Sequence, residues 1–127
     1  MSLVTGKSYP PVESRIERER VRAFARAIGA DPEAGVPPTY AAVYALFSTA
    51  AQLFDDAEAD VDFAHLLHSD QEFTWTRHPE VGELVRASGT VEEDADRRNL
   101  RFLTYATEVT SEGEPLCRSR MVTVIRG

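Results

Sequence analysis

The sequence predicts an α+β fold in which one antiparallel sheet wraps around a central helix. The first observation is an uncharged run at residues 35–54, which lies between charge-rich neighbours and opens with two prolines. From Thr39 to Phe54 no face of a helical wheel collects the polar residues, so this helix is expected to be buried on every side. The second observation is a set of four strand-like segments between Leu66 and Arg126. Strands of this kind supply the layer that a buried helix needs around it.

Two elements are predicted ahead of the central helix. A short edge strand is expected over residues 9–16, because Pro10 and Pro11 lack amide donors and are tolerated best at the edge of a sheet. A surface helix that ends at Gly29 should follow, and Pro38 then presets the backbone for the first turn of the central helix. The apolar stripe of the surface helix falls at i, i+3, i+4 and i+7, on Val21, Phe24, Ala25 and Ile28.

The second half of the chain predicts four strands joined by three successive hairpin turns, which makes the sheet antiparallel. Apolar and polar residues alternate there with the period of two that strands require. The small residues Ala87 and Gly89 are expected to let the helix approach the sheet closely. After an acidic exit loop at 55–60, the expected segments are a strand from residue 66, a turn at 78–82, a strand at 85–91, a charged turn at 92–99, a strand at 103–109, a turn at 111–115 and a strand at 117–125.

The composition is that of a single globular domain. With 127 residues and neither a long linker nor an internal repeat, one domain over residues 1–127 is expected. The net charge of −7 gives no support for binding nucleic acid or an anionic membrane surface. Cys117 is the single cysteine, and no Cys and His residues have metal-ligand spacing, so no disulfide, metal or cofactor is predicted.

The expected location is the cytoplasm. Residues 1–7 lack the basic start and the apolar stretch of a secretory signal. The prolines and polar residues of the run at 35–54 make it a poor membrane span. A lone cysteine also fits a reducing compartment.

Three stretches resemble the MaoC-like (R)-specific enoyl-thioester hydratases and dehydratases, in particular the amino-terminal, non-catalytic type of domain in that family. Residues 22–29 look like the first helix of the family, and residues 36–40 look like the entry to its central helix. The stretch His68-Ser-Asp-Gln-Glu-Phe-Thr-Trp75, with Arg77-His-Pro79 and Val81-Gly82, is similar to its second-strand signature. The resemblance covers most of the chain. It implies the hot dog fold, in which an antiparallel sheet wraps around a central helix, and an acyl thioester as the ligand.

The catalytic motif of that family is missing from this chain. Catalytic members carry an Asp-x-Asn-Pro-aliphatic-His stretch after the first helix, because hydration needs an acid/base pair that positions water and moves protons at two alkene carbons. Here Asp31-Pro32 is followed by Glu33-Ala34-Gly35, so the asparagine and the histidine are absent. Asp31 and Glu33 are interpreted as polar residues of a surface loop, and no catalytic residue is assigned.

The resemblance implies substrate-binding residues in two segments. Pro38, Thr39 and Tyr40 form the start of the central helix, where amide groups favour a developing negative charge on a thioester oxygen. Proline removes amide donors, so this start suits holding an acyl group better than transforming it. His68 and Gln71 open the signature strand beside the expected acyl-thioester tunnel. A bond from His68 to a backbone carbonyl at the strand start is the competing role.

Three functions remain open from the sequence. The preferred one is a hot dog subunit of an (R)-specific enoyl-CoA or enoyl-ACP hydratase or dehydratase. It would bind the acyl thioester of CoA or of a carrier protein, as a homodimer or as a heterodimer with a catalytic MaoC-like subunit. The second is a hot dog acyl-CoA thioesterase, which usually needs a carboxylate on the central helix, and residues 39–54 have none. The third is a non-enzymatic small-molecule-binding α+β domain with a cone-shaped sheet. A dimer is expected because one curled sheet leaves its edge strands unpaired.

Overall fold

The computed structural model describes residues 3–126, so residues 1, 2 and 127 of the predicted domain lie outside the described residues. The elements in chain order are β1 (Val12–Arg15), α1 (Arg18–Ala27), a 3-10 turn (Pro38–Tyr40), a π-helical segment (Ala42–Phe47), α2 (Ser48–Phe54), a second 3-10 turn (Phe63–His65), β2 (Leu66–Trp75), β3 (Leu84–Arg97), β4 (Leu100–Ser111) and β5 (Glu114–Arg126). The first 3-10 turn, the π-helical segment and α2 run consecutively, and residues 38–54 are called the central helix below.

The predicted α+β arrangement is confirmed, with five strands in one antiparallel sheet. The strand order is β1-β3-β4-β5-β2, so β1 and β2 form the two edges. Residues 6–9 also pair with β3, through bonds such as Tyr9 N to Gly89 O at 3.0 Å. Pro10 and Pro11 separate this pairing from β1, as prolines at a sheet edge do. The first strand is therefore shorter than the predicted 9–16.

The predicted hairpin at residues 78–82 is wrong. β2 does not pair with β3 but with β5 at the far edge, where Leu66 faces Ile125 and Trp75 faces Cys117. β3 has no room for it, because β1 and β4 already occupy its two sides. Residues 76–83 are thus a crossover, whereas β3 to β4 and β4 to β5 are true hairpins. Antiparallel order holds although one of the three connections was assigned incorrectly.

The charged segment 92–99 is mostly strand, which corrects the predicted turn. β3 continues to Arg97, and the turn itself is Arg98-Asn99, with left-handed φ values of 53° and 66°. The buried carboxylate of Asp94 is tolerated in the strand because the Nε and Nη2 atoms of Arg101 each donate to it at 2.8 Å. The Val4 amide donates a third bond to it at 2.9 Å. These three hydrogen bonds offset most of the free-energy cost of removing the carboxylate from water.

The central helix packs on one face of the sheet, and a single tyrosine links the two. The Tyr105 hydroxyl, from β4, donates to Thr49 Oγ1 in the helix at 3.0 Å. Gly89 of β3 lies beside this ring, and a Cβ at that position would overlap the hydroxyl and the Cζ of Tyr105. Gly89 was predicted to let the central helix approach the sheet, whereas the group that lies against it is the Tyr105 ring of the neighbouring strand.

The expectation that residues 39–54 are buried on every side is wrong for this chain. Leu46 is 1% exposed on the face toward the sheet, whereas Phe47 is 60% exposed. Val43 is half-buried and Ala51 is exposed on that same open side. One sheet covers only one side of a helix. Because the open side of this helix is also apolar, a helical wheel could not distinguish it from the side that faces the sheet.

A π-helical segment, Ala42–Phe47, interrupts the central helix before α2 begins. In a π turn the backbone bonds run from i to i+5, one residue further than in an α-helix. The Ser48 hydroxyl donates to the Tyr44 carbonyl at 2.7 Å, which gives that carbonyl a side-chain partner at the junction. None of the helices described is both long and apolar enough to span a bilayer.

The surface helix α1 follows its predicted stripe except at the end. Val21 and Ala25 are buried, and the Phe24 ring meets Tyr40 edge-on with ring centroids 5.2 Å apart. Ile28 is 50% exposed because the helix ends at Ala27. Gly29 follows with φ of 76°, the left-handed conformation that terminates many helices.

Gly89→Ala is expected to lower the free energy of unfolding by about 3 kcal/mol, because the added methyl group displaces the Tyr105 ring from its bond to Thr49. Ser88→Ala, one residue away on the other face of β3, is the matched control and should change little. Urea denaturation followed by circular dichroism measures both. Equal stability of the Gly89→Ala and wild-type proteins would contradict this close approach.

Asp94→Asn is expected to lower the free energy of unfolding by about 3–5 kcal/mol, because it leaves the buried Arg101 guanidinium without its carboxylate. Glu93→Gln, at the exposed pair with Arg97, is the control and should change little.

Asp94→Asn should also flatten the acid side of the curve of unfolding free energy against pH. Burial favours a higher pKa for Asp94, but the bonds from Arg101 and Val4 prevail and hold the pKa below its ordinary 3.8. The carboxylate therefore contributes stability above pH 3.8, and this contribution is lost as the pH falls further. Unfolding midpoints measured between about pH 2 and 6 test this. Identical acid profiles for the Asp94→Asn and wild-type proteins would rule it out.

Candidate functional site

The start of the central helix presents two of its three predicted site residues to solvent. Pro38 and Thr39 are exposed, whereas Tyr40 is only 3% exposed. The Tyr40 ring packs against Phe24 and Tyr44, and burial raises the pKa of its hydroxyl. The amide of Tyr40 already donates to the Pro37 carbonyl at 2.9 Å. This helix start therefore offers few amide donors to an oxyanion, as its two prolines predict.

A cavity of about 330 Å³ lies beside this start and is called the helix groove. It runs between β1, the beginning of α1 and the open face of the central helix. Its floor is apolar, and the polar residues Ser14, Arg15, Arg20 and Ser48 also contribute to its lining. The lining residues are Val12, Ser14, Arg15, Ile16, Arg20, Tyr40, Val43, Tyr44, Phe47 and Ser48.

His68 and Gln71 lie together on the other side of the fold, at the edge strand β2. His68 Nε2 is 3.1 Å from Gln71 Oε1, so the amide oxygen accepts a hydrogen bond from the imidazole. The pairing of β2 with β5 shifts register between His68 and Asp70. Neither His68 nor Gln71 lines the helix groove. Within one chain, the structure thus brings these two residues together but does not join them with Tyr40 in one cavity.

The loop between α1 and the central helix carries two acids with local structural roles. Asp31 Oδ1 accepts a bond from the Glu33 amide at 2.9 Å, which closes a turn. Glu33 Oε1 lies 3.1 Å from Arg22 Nε and forms an exposed ion pair. Both acids are held in the turn and ion-pair chemistry that the loop interpretation expects. Among residues 3–126, no cluster of acidic, His or Cys side chains is arranged to hold a metal ion.

Sequence reasoning missed two features around the groove. Arg15 and Arg20 are part of its lining, and the available signal was the basic character of the N-terminal segment. Beneath the helix, the Tyr44 hydroxyl and Trp75 Nε1 are buried and have no hydrogen-bond partner among the described residues. Burial raises the pKa of Tyr44 and of the neighbouring Cys117 thiol, so both stay protonated near neutral pH. No sequence pattern distinguishes a partnered from an unpartnered core tyrosine.

Residues 3–119 match the family described as FAS1-like, dehydratase domain region. A UPF0336 protein from Saccharopolyspora erythraea is 32% identical over 139 residues, which cover 96% of this chain and 88% of that protein. The match spans both the helix groove and β2.

Several solved structures share the fold. The truncated HadBC (3R-hydroxyacyl-ACP dehydratase) complex from Mycobacterium tuberculosis superposes with a TM-score of 0.77 at 18% identity, covering 97% of this chain and 98% of that chain. A MaoC-like dehydratase from Rhodospirillum rubrum superposes with a TM-score of 0.65 at 18% identity, covering 98% and 94%. The predicted hot dog fold and the predicted resemblance to MaoC-like proteins are confirmed.

Tyr44→Phe is expected to raise the free energy of unfolding by about 1 kcal/mol, because it removes a buried hydroxyl that has no hydrogen-bond partner within residues 3–126. Tyr105→Phe is the matched control and should lower it by about 1 kcal/mol, since this hydroxyl is bonded to Thr49. Urea denaturation gives both values. A loss in Tyr44→Phe as large as that in Tyr105→Phe would mean that the Tyr44 hydroxyl is hydrogen-bonded in solution.

Proposed function

The chain belongs to the family of FAS1-like dehydratase domain regions and to the UPF0336 family, and on that premise we propose that it is an acyl-thioester-binding subunit of an (R)-specific enoyl-CoA or enoyl-ACP hydratase or dehydratase. In this role it holds the acyl thioester, and a separate catalytic MaoC-like subunit supplies the acid/base pair. The chain contributes to a lyase without being catalytic on its own. The lone Cys117 supports a location in the reducing cytoplasm.

The observation that carries this proposal is the state of the loop where catalytic members have their acid/base pair. Asp31 closes a turn with the Glu33 amide, and Glu33 is paired with Arg22. A general base must reach the proton that it abstracts, and its lone pairs must be available. The His68 imidazole is also engaged, through Gln71 on an edge strand. These contacts support a binding role and give no support to an independent hydratase.

A dimeric assembly is part of the proposal. The strand β2 is an edge whose outward backbone groups have no partner strand among residues 3–126, and Leu67 on it is 66% exposed. Pairing at that edge would bring His68 and Gln71 to the seam between two subunits. The HadBC structure is named as a complex of two proteins, which favours a heterodimer with a catalytic subunit. A homodimer uses the same edge.

The thioesterase alternative has no support in the geometry. Residues 38–54 carry no carboxylate, and the helix is followed by the exposed Asp55 and the half-buried Asp56. The Asp56 side chain lies 2.7 Å from both Lys7 Nζ and the Tyr9 hydroxyl. These bonds, with that of Lys7 the stronger, lower the pKa of Asp56 to about 2. A carboxylate that already accepts these two bonds and has so low a pKa is a poor general base for abstracting a proton from water.

We expect the isolated protein to bind crotonyl-CoA or a crotonyl carrier protein saturably and to leave it unhydrated, because the chain lacks the acid/base pair. Quenching of Trp75, the single tryptophan, reports binding, and loss of enoyl-thioester absorbance reports hydration. Adding a catalytic MaoC-like chain from the same genome should produce hydration. The control is Asp31→Ala, which should leave that rate unchanged. Turnover by the isolated chain that disappears in Asp31→Ala would overturn the non-catalytic role, and absence of binding to every thioester would overturn the binding role.

A further inference from the structure

We propose that the edge strand β2 selects its partner by charge, because Asp70 and Glu72 oppose the pairing of two identical copies and attract a facing strand that carries Lys or Arg. This inference rests on the proposed function for the use of the β2 edge in a dimer. It adds which side chains choose the partner and what chemistry that partner presents. The partner is a MaoC-like chain with a basic edge strand, and a second copy of this chain is disfavoured.

The two edges of the sheet are not equally suited to pairing. β1 has only four residues and follows two prolines, which cannot donate to a new strand. β2 has ten residues, at 66–75, and contains no proline. Leu67 is 66% exposed on this strand, and Phe73 and Trp75 are half-buried. A partner strand at β2 would remove this apolar surface from water and supply hydrogen bonds to the outward backbone groups.

The side chains of β2 alternate between the two faces of the sheet. Phe73 and Trp75 pack against the core beneath the central helix, so residues 70, 72 and 74 point to the outer face. The register shift of β2 lies between His68 and Asp70, and the pairing with β5 is regular from residue 70 to residue 75. Asp70 and Glu72 are therefore neighbours on the outer face, and both are exposed.

The carboxylates of Asp70 and Glu72 are available to a partner. Glu72 lies opposite Arg120 of β5, but the Nη2 atom of Arg120 is 2.8 Å from the Oε1 atom of Glu92. Asp70 Oδ1 accepts a bond from the Gln71 amide at 2.9 Å, which leaves the second oxygen of this carboxylate. Within residues 3–126 no cation forms an ion pair with either acid.

Two-fold symmetry turns these acids against each other in a homodimer. Identical strands related by a two-fold axis pair antiparallel, so an axis at residue 71 places Asp70 of one copy opposite Glu72 of the other. An axis at residue 70 or 72 places identical acids opposite each other. Facing residues lie on the same side of the joined sheet, because both core faces must stay covered. In each of these registers carboxylates meet across the seam, and like charges directly opposite destabilise a strand pair.

A basic strand converts the same geometry into an attraction. Lys or Arg at the facing positions would form cross-strand ion pairs with Asp70 and Glu72. Complementary charges across an interface speed association and exclude wrong partners more than they add affinity. The apolar side chains of β2 thus supply the affinity of the dimer, and the two acids supply its specificity.

The test converts the chain into its own partner. Asp70→Lys/Glu72→Lys should not pair with itself, but with the wild-type protein it should form a 1:1 dimer whose Kd is lower than that of either homodimer by about tenfold or more. Native mass spectrometry distinguishes the mixed dimer by its mass, and sedimentation velocity gives the Kd. Glu108→Lys/Glu114→Lys reverses the same charge on β4 and β5 and is the matched control. It should pair with the wild-type protein no more tightly than the wild-type protein pairs with itself.

A second variant removes the repulsion without adding an attraction. Asp70→Asn/Glu72→Gln should self-associate about tenfold more tightly than the wild-type protein. Equal self-association of these two proteins, or a mixed dimer no tighter than the homodimers, would overturn the charge selection. Equally tight pairing by the control variant would replace it with a general charge effect.

These outcomes are separate from those of the proposed function, because pairing is measured without a thioester. If charge selection fails while crotonyl-CoA or a crotonyl carrier protein still binds, the binding role stands and the dimer is chosen by other contacts. If the mixed dimer forms but no thioester of CoA or of a carrier protein binds, the charge selection stands and the proposed function fails.

Discussion

The contact from the Tyr105 hydroxyl to Thr49 Oγ1 ties the helix of this fold to its sheet. A buried hydroxyl pair is costly to break, so it fixes how the helix is rotated about its axis. Gly89 makes the contact possible by leaving room for the ring. The rotation decides which residues face the sheet and which face outward. Phe47 and Val43 are on the outward side, and the helix groove exists because this orientation is fixed.

One end of the fold is held by polar contacts, one of which is made by Val4 near the start of the described chain. Val4 bonds to the Asp94 carboxylate, which also accepts from Arg101, and Arg101 Nη1 donates to the Asp60 carbonyl at 3.1 Å. The loop that follows the central helix is thereby fixed to the β3–β4 hairpin. At the opposite end, the prolines at the helix entry and the short loop after α1 leave the groove uncovered. The fold is thus closed by paired charges at one end and open along the helix groove at the other.

Much of this architecture could be predicted from residues, and the errors have physical causes. Alternation in β3 to β5 and the uncharged run of the central helix gave the elements, because side-chain periodicity reports which face is buried. Periodicity does not show which strands pair with each other, so the crossover at residues 76–83 was mistaken for a hairpin between β2 and β3. The acidic residues at 92–97 were interpreted as a turn. The sequence does not show that Asp94 is paired with Arg101 on the neighbouring strand, so the charge of this segment suggested exposure to solvent. In the site, loop acids without a catalytic role were expected, whereas Arg15 was overlooked because an exposed arginine on an edge strand resembles any solvated residue.

The π-helical segment Ala42–Phe47 has a consequence for how this chain compares with its relatives. One π turn is equivalent to a single residue inserted into an ordinary α-helix, and it advances every later side chain by about 100° around the axis. Thr49 reaches the sheet only after that phase change. A relative with one residue fewer here would keep an unbroken helix but turn a different set of side chains toward its strands. In this stretch the length of the chain carries structural information that percentage identity does not measure.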